Sequence, residues 1–250
     1  MTENLILIIR LLNHPTAKRL KICLRSPYQS PVLHWALLCL PMHYIAAKMM
    51  CVRAITFGWE LTVVAPEKDI KLPKSKKFDF AAMVPYQAIH SLNTIESISV
   101  LLLGGASLPL DLERVLQKSA SQVYQSYGMT ETASHVALRR VNGSEKKTYY
   151  TALEGITFSQ DAKGCLVVEA PQLSEEKLYT QDVVQLQTPK EFLWLGRLDN
   201  VVNSGGIKLH PEQLVSKLAP FFPYSFVFLG IPHKELGEQL VIAIEGTDNA

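Results

Sequence analysis

Residues 99–128, SVLLLGGASLPLDLERVLQKSASQVYQSYG, decide the fold class of this chain. The apolar run before Gly104 predicts a buried strand that ends at a pair of glycines. A short helix is expected from about Pro109, and its apolar residues should share one face: Leu112, Val115 and Leu116. SQVYQSYG predicts the next strand, and this order of strand, loop, helix and strand indicates an α/β sheet.

The flanking sequence extends this pattern. Upstream, ALLCL and ELTVVAP predict strands on either side of a helix from Ile45 to Phe57, with Gly58 as its C-cap, and FDFAAMVP predicts another strand. After about Val136 the sequence predicts two hairpins, which turn at residues 161–164 and near residues 188–190. This second part should therefore be antiparallel β structure.

The last fifty residues predict a smaller unit. A β-rich loop around Gly205 and Gly206 comes first, then a helix opened by Pro211 at its first position, then the strands SFVFLG and QLVIAIE. The expected fold class is α/β, a mixed sheet with helices plus an antiparallel β subdomain, followed by a truncated small α+β C-terminal domain.

Composition disfavours several classes of function. The 250 residues are 48% hydrophobic, and a net charge of +2 is too small to favour nucleic acid or an anionic membrane as partner. The four cysteines form no CxxC pair, which gives no support to a zinc or thioredoxin-like site. No segment reaches the roughly 20 apolar residues that cross a bilayer, so a soluble, cytoplasmic protein is expected.

Two strand ends carry residues that could hold a charged ligand. Gly104 and Gly105 have no Cβ, so the backbone can approach a flat ligand closely, although a tight turn also explains the pair. In YGMTE, Tyr127 can stack on a base, Thr130 can donate to phosphate oxygens, and Glu131 is a hard oxygen ligand for Mg²⁺. Because ligands of open α/β sheets lie beyond the carboxyl ends of strands, the two ends together predict a nucleoside triphosphate site.

Two later segments fit the same ligand. YTQDVV places Asp182 at an expected strand start, where its carboxylate could accept both ribose hydroxyls. GRLDNVVNSGGIKLHPEQL supplies Arg197, Asp199 and Lys208 around a glycine-rich bend. Each of these residues, taken singly, could also be a surface charge in a hairpin.

The order GGA, YGMTE, TxD and GRxD…GxKxxPEQ resembles the adenylate-forming superfamily of acyl- and aryl-CoA synthetases. The resemblance covers roughly residues 36–245, and YGMTE and GRLDNVVNSGGIKLHPEQL are its most specific blocks. Within the superfamily, LLCLPMHYIAAKMMCVRAITFGWEL is similar to the o-succinylbenzoate–CoA ligases of menaquinone biosynthesis.

The resemblance implies adenylate contacts at both strand ends. Three residues would line the adenine and acyl pockets: Gly104, Gly105 and Ala106. Tyr127 would flank the adenine, and Gly128 and Met129 would lie along the acyl-adenylate. Thr130 would contact phosphate, and Glu131 would hold Mg²⁺.

The remaining blocks carry the other implied roles. Asp182 and Arg197 would grip the ribose, and Asp199 would be the hinge of a small swinging domain. His43 would lie beside the acyl pocket, although a lone histidine at a strand end is commonly structural. Lys208 would meet the nucleotide or the pantetheine after the domain rotates.

The implied reaction is ATP-dependent ligation in two steps. A carboxylic acid, here o-succinylbenzoate, attacks the α-phosphorus of ATP to give acyl-AMP and pyrophosphate, and the thiol of CoA then displaces AMP. ATP, Mg²⁺ and CoA are the expected ligands, with no nucleic acid or membrane partner, and a homodimer stays open. Two alternatives remain: another aryl- or fatty-acid–CoA ligase, and a non-catalytic protein that binds nucleotide or acyl-adenylate.

The chain departs from the family in three places. Residues 1–35 contain no glycine-rich phosphate loop, and the family's C-terminal lysine block does not occur before Ala250. Gln181 replaces a glycine that many relatives have. The expected domains are therefore a large domain at residues 1–198 without its usual N-terminal part, and a partial swinging domain at 199–250. A fragment, a shifted reading frame and a binding remnant all explain this pattern, and little adenylation is expected because preorganised phosphate contacts are missing.

Overall fold

The structure is a computed structural model that describes residues 35–72, 76–222 and 224–246. The described residues up to Thr157, together with Glu169–Glu176, form one compact unit. Phe158–Val168 and the described residues from Lys177 onward form a second unit. The expectation for the phosphate loop lies outside the described residues, apart from Trp35.

The first unit contains a mixed sheet. Its strands are β1 Trp35–Leu38, β2 Glu60–Val63, β3 Phe78–Met83, β4 Ile98–Leu103, β5 Gln122–Gly128, β6 His135–Arg140 and β7 Tyr150–Ala152. They lie in the order β2-β1-β3-β4-β5-β6-β7. The pairs from β2 to β5 are parallel, whereas β6 runs antiparallel to both β5 and β7. The expected α/β class with a mixed sheet is confirmed.

Among the described residues, four helices accompany this sheet: α1 Ile45–Phe57, α2 Pro85–His90, α3 Leu92–Ile95 and α4 Leu110–Leu116. The bounds of α1 agree with the sequence-based prediction, and Gly58 caps it in the left-handed conformation with φ 67°. The helices α2 and α3 were not predicted, because six and four residues are too few to show a helical period.

The core lies against the central strands. Five of six residues are buried in both β3 and β4, as expected for parallel strands covered on both faces. Leu112 and Leu116 of α4 are 4% and 1% exposed and join this core, as predicted. Val115 is 48% exposed, so its predicted place on the same face was wrong.

The second unit is mainly antiparallel, as predicted. Its first four strands are β8 Thr157–Gln160, β9 Cys165–Glu169, β10 Leu178–Thr188 and β11 Glu191–Arg197, in the order β8-β9-β10-β11. The end residues Thr157 and Glu169 of these strands belong to the first unit. The predicted hairpin turns lie between β8 and β9 and between β10 and β11. A second sheet follows, with β12 Val202–Ser204, β13 Ile207–Leu209, β14 Phe226–His233 and β15 Gly237–Ile244 in the order β13-β12-β15-β14.

Helix α5, Pro211–Leu218, lies between β13 and β14 in the chain and begins at its proline, as predicted. In the part of the chain that the structure describes, no helix combines the length and apolar character needed to cross a membrane. The division into domains at residue 198 stays a prediction.

Candidate functional site

The two ligand-binding strand ends predicted from the sequence are neighbours. Strands β4 and β5 pair in parallel, with Leu103 opposite Gln125, so the segments that follow them leave the sheet at the same edge. Gly105 and Ala106 are exposed beyond β4, and Thr130 and Glu131 are exposed beyond β5. The structure therefore brings these predicted residues to one carboxyl edge.

His43 belongs to the same edge but lies farther along it. It follows β1, which β3 separates from β4 in the sheet. Its side chain is exposed, and its ring packs against that of Tyr44 with centroids 4.1 Å apart. The segment with His43 is therefore not next to the glycine-bearing segment after β4 or the acid-bearing segment after β5 in the sheet.

The end of β4 is closely packed against β5. The hydroxyl of Ser126 donates to the main-chain oxygen of Leu103 at 3.1 Å, and the amide of Gly104 donates to the oxygen of Met83 at 3.2 Å. A Cβ on Gly104 would overlap the hydroxyl of Ser126. A side chain at the first position after the strand would therefore displace the hydroxyl of Ser126, which favours glycine there.

A buried threonine builds the turn that presents the acid. Residues Thr130–Thr132 form one 3₁₀ turn, and Thr132 is fully buried. Its hydroxyl accepts from the amide of Met129 at 3.0 Å and donates to the main-chain oxygen of Ser134 at 2.6 Å. Because Thr132 satisfies these backbone groups, Thr130 and Glu131 can point to solvent.

Gly128 and Tyr127 have structural roles in this sheet. Gly128 opposes His135 in the antiparallel register, and a Cβ on it would collide with the main chain of Ser134 and His135. Tyr127 is half-buried, and its ring packs against Tyr150 with centroids 5.7 Å apart. Packing alone therefore explains part of this motif.

A buried arginine lies behind the same turn. Arg53 on α1 is 3% exposed, and its guanidinium donates to Nδ1 of His135 at 3.4 Å. Within the described ranges, no carboxylate forms an ion pair with Arg53. Burial, and secondly the charge of Arg53, lowers the pKa of His135 to about 3, so this histidine is neutral at physiological pH.

Three predicted residues meet in the second unit. Asp182 and Arg197 are direct partners across β10 and β11, with Nη1 and Oδ1 3.9 Å apart, and Arg197 also pairs with Asp199 at 3.3 Å. The indole of Trp194 donates to Oδ1 of Asp182 at 3.0 Å.

The predicted strand position of Asp182 was wrong, and Lys208 lies on a different strand from Asp182 and Arg197. Asp182 does not begin a strand, because β10 starts at Leu178, which pairs with Val168 of β9 before the register shifts. Lys208 is exposed on β13 opposite Asn203, and among the described residues no hydrogen bond or ion pair joins it to Asp182 or Arg197.

A glutamate spans the segment that contains Asp199. One carboxylate oxygen of Glu212, Oε1, accepts from the side-chain amide of Asn200 at 2.6 Å and from the backbone amide of Arg197 at 3.5 Å. The other oxygen is buried, has no hydrogen-bond partner among the described residues and lies where a side chain on Gly196 would be. Glu212 therefore connects the beginning of α5 to the residues on both sides of Asp199.

Glu131 can bind Mg²⁺ only if phosphate oxygens and water supply the other ligands of the ion. Among the described residues, no cluster of three or more His, Cys, Asp or Glu side chains could hold a metal ion. Mg²⁺ is commonly bound by one or two carboxylates together with phosphate oxygens and water, so the exposed Glu131 is compatible with that arrangement.

Sequence reasoning missed Arg53, Ser126, Trp194 and Glu212. A signal existed for Arg53, since a charged residue within the apolar helix IAAKMMCVRAITF falls on its buried side. The contacts of Ser126 and Trp194 depend on strand register, and those of Glu212 depend on the packing of α5, neither of which a local pattern reveals.

Comparison with known families agrees with this arrangement. The sequence profile described as "AMP-binding enzyme" matches residues 20–162, which is more than half of the chain. This chain belongs to the AMP-binding enzyme family. The resemblance to adenylate-forming enzymes is thereby confirmed, and the glycine pair and YGMTE lie within the matched region.

Relatives of this AMP-binding enzyme include a 2-succinylbenzoate–CoA ligase from Haemophilus influenzae. It is 28% identical, and the match covers 84% of this chain and 50% of the relative. A second such ligase, from Bacillus mycoides, is 24% identical over 71% of this chain and 44% of its own length. The chain spans about half the length of the curated relatives it matches.

Solved structures give the same picture of the fold. The acyl-CoA synthetase (AMP-forming)/AMP-acid ligase II-like protein from Dyadobacter fermentans is 35% identical with a TM-score of 0.67, covering 93% of this chain and 69% of its own. O-succinylbenzoate coenzyme A synthetase from Bacillus subtilis, in complex with ATP and magnesium ion, is 19% identical with a TM-score of 0.69, covering 92% and 55%. At 19% identity the likeness concerns the fold alone.

Proposed function

We propose that this chain carries the adenylate-binding part of an acid–CoA ligase whose acid is o-succinylbenzoate. The observation that carries the proposal is the adjacency of the segments after β4 and β5 in a member of the AMP-binding enzyme family. One segment offers backbone that can approach a flat ligand, and the other offers a hydroxyl and a carboxylate to phosphates.

The proposed chemistry needs binding and charge stabilisation. A carboxylate oxygen forms a bond to the α-phosphorus of ATP while the bond to pyrophosphate breaks. The sulfur of CoA then forms a bond to the acyl carbon while the bond to AMP breaks. Both steps gather negative charge on oxygen, so positioned donors and cations contribute most to catalysis.

The first unit supplies the phosphate and adenine contacts in this proposal. Gly104, Gly105 and Ala106 face the adenine and acyl groups, Tyr127 flanks the base, and Met129 follows the acyl-adenylate. Thr130 donates its hydroxyl to a phosphate oxygen, and Glu131 binds Mg²⁺. When bound, Mg²⁺ would neutralise charge on the phosphate oxygens.

Asp182 and Arg197 are the proposed ribose contacts. Asp182 accepts hydrogen bonds from the ribose hydroxyls, and the exposed Arg197 donates beside it. Asp199 is the proposed hinge between residues 1–198 and 199–250, and rotation about it brings Lys208 to the nucleotide or pantetheine. His43 is proposed to lie beside the acyl group.

The choice of o-succinylbenzoate rests on two observations. The curated relatives are named for this acid, which has two carboxyl groups. Arg53 offers a buried positive charge with no acidic partner in the described residues, directly behind the YGMTE turn. An uncompensated buried charge is costly, so an anionic group of the ligand is a fitting partner. A plain aryl or fatty acid has no second carboxylate to offer.

ATP–pyrophosphate exchange separates the enzyme from a binding protein. Exchange with o-succinylbenzoate that exceeds exchange with benzoate or hexanoate supports the proposed ligase. Glu131→Gln should abolish the Mg²⁺-dependent exchange, while Glu145→Gln, also an exposed glutamate, should leave it unchanged. If no acid supports exchange but an acyl-AMP analogue raises the melting temperature, the chain binds adenylate without adenylating.

A further inference from the structure

We propose that Trp194 is a positioning residue that orients the carboxylate of Asp182 toward the ribose hydroxyls. This inference rests on the proposed function, because it needs Asp182 to contact the ribose. The indole of Trp194 donates to Oδ1 of Asp182 at 3.0 Å, within hydrogen-bonding range.

An irregularity in the strand pairing makes this contact. Asp182 faces Arg197 and Val183 faces Gly196, but Val184 then faces Trp194. One residue of β11 is skipped between these pairs, as in a β-bulge, and bulges commonly re-aim side chains beside functional sites. Trp194 pairs with Val184 but reaches Asp182, which lies two positions before Val184 on β10.

The indole holds Asp182 more firmly than the arginine does. Asp182 is 9% exposed, and a hydrogen bond to a carboxylate in such surroundings is about twice as strong as one between neutral groups. Arg197 lies farther from the same oxygen, at 3.9 Å, and its side chain is 47% exposed. Its other terminal nitrogen pairs with Asp199, so its position depends on a second flexible group.

A neutral donor suits a carboxylate that must accept hydrogen bonds. Trp194 orients the carboxylate of Asp182 without cancelling its negative charge. The charged carboxylate can then accept hydrogen bonds from the ribose hydroxyls. The strand around Trp194 is itself anchored, because the side chain of Gln213 on α5 donates to the main-chain oxygen of Trp194 at 3.2 Å. Asp182 is also held through its backbone, whose amide donates to the hydroxyl of Thr180 at 3.1 Å.

The test compares Trp194→Phe with Trp59→Phe by calorimetric titration of AMP and of 2′,3′-dideoxy-AMP. Trp59 packs between the rings of Phe57 and Phe80 and makes a matched control. Trp194→Phe should weaken AMP about tenfold, the order expected for one hydrogen bond to a charged group, and should leave dideoxy-AMP unchanged. Trp59→Phe should preserve the preference for AMP.

The outcomes distinguish the inference from the proposed function. Equal AMP affinity in Trp194→Phe and the unmodified protein, or equal losses for both nucleotides, would overturn the positioning role alone. If the unmodified protein does not prefer AMP over dideoxy-AMP, the ribose contact of Asp182 and the role of Trp194 both fail.

A second measurement needs no Trp194 variant. The indole N–H resonance of Trp194 should shift on titration with AMP and stay in place with dideoxy-AMP, whereas the resonance of Trp59 should respond to neither. An unmoved Trp194 resonance in the presence of bound AMP overturns the proposal.

Discussion

The hydroxyl of Ser126 occupies the space that a side chain on Gly104 would need. The same hydroxyl donates to the main-chain oxygen of Leu103, so one short contact holds the ends of β4 and β5 together. This contact lies immediately before the exposed residues of both segments, next to the ladder that pairs the two strands.

Replacing Gly104 by Ala should therefore lower the free energy of unfolding by about 1 kcal/mol, because Ser126 must give up its hydrogen bond. In a Ser126→Ala background the space is free. The same glycine replacement should then be neutral or stabilising by about 0.5 kcal/mol, through the unfolded chain. Urea unfolding of the four proteins measures this cycle. Gly246→Ala, where a Cβ meets nothing within 4 Å, is the control, and simple additivity of the two changes would contradict the contact.

Acid should destabilise the protein through His135. The pKa of His135 is about 3 in the folded protein, below its ordinary value of 6.5. Between these two pH values the unfolded chain is protonated at His135 and the folded protein is not. Stability should fall as the pH drops below 6.5, approaching about 1.4 kcal/mol per pH unit. His135→Asn keeps an acceptor for Arg53 and cannot titrate. Unfolding free energies at pH 7 and pH 5 should therefore diverge between the two proteins; parallel curves would show that His135 accepts a proton in the folded state.

The segment around Asp199 should loosen when Glu212 is removed. Glu212→Ala takes away the acceptor of the Asn200 side chain and of the Arg197 backbone amide. Amide hydrogen exchange at residues 197–200 should accelerate about tenfold, since opening no longer breaks these bonds. Glu235→Ala, an exposed glutamate in the same unit, is the matched control. Unchanged exchange at these residues would mean that Glu212 does not hold the proposed hinge.

Arg53 should discriminate between acids. Arg53→Gln should weaken a non-hydrolysable o-succinylbenzoyl-adenylate analogue by roughly tenfold to a hundredfold, because a charged hydrogen bond is worth about 1.5–3 kcal/mol. A benzoyl-adenylate analogue, which lacks the second carboxylate, should be affected little. Lys48→Gln on the same helix should change neither affinity. Equal losses for both analogues would assign Arg53 to packing against His135 alone.

Much of the fold was predictable because its signals are local. Helix α1 carries a long apolar stretch and a terminal Gly58, so both of its bounds could be predicted. The neighbouring positions of Gly104 and Glu131 followed from two successive parallel strands, since such strands end at one edge of a sheet.

The rest depends on long-range register. The pairing of Leu178 with Val168 moves Asp182 from a strand start to a strand interior, and no local pattern marks that pairing. The contact between Trp194 and Asp182 depends on a bulge in β11, where Leu195 has no partner on β10. No local sequence pattern predicts this bulge. The sequence of α1 marks Arg53 as unusual, but its contact with His135 joins residues 82 positions apart and has no local signal.

The adjacent segments after β4 and β5 can be tested together by hydrogen exchange of the unmodified chain with and without AMP. If one adenylate contacts both, AMP should slow exchange at residues 104–106 and at residues 127–131 in the same titration, with one midpoint. Protection of only one of the two segments, or of neither at saturating AMP, would contradict a shared adenylate site.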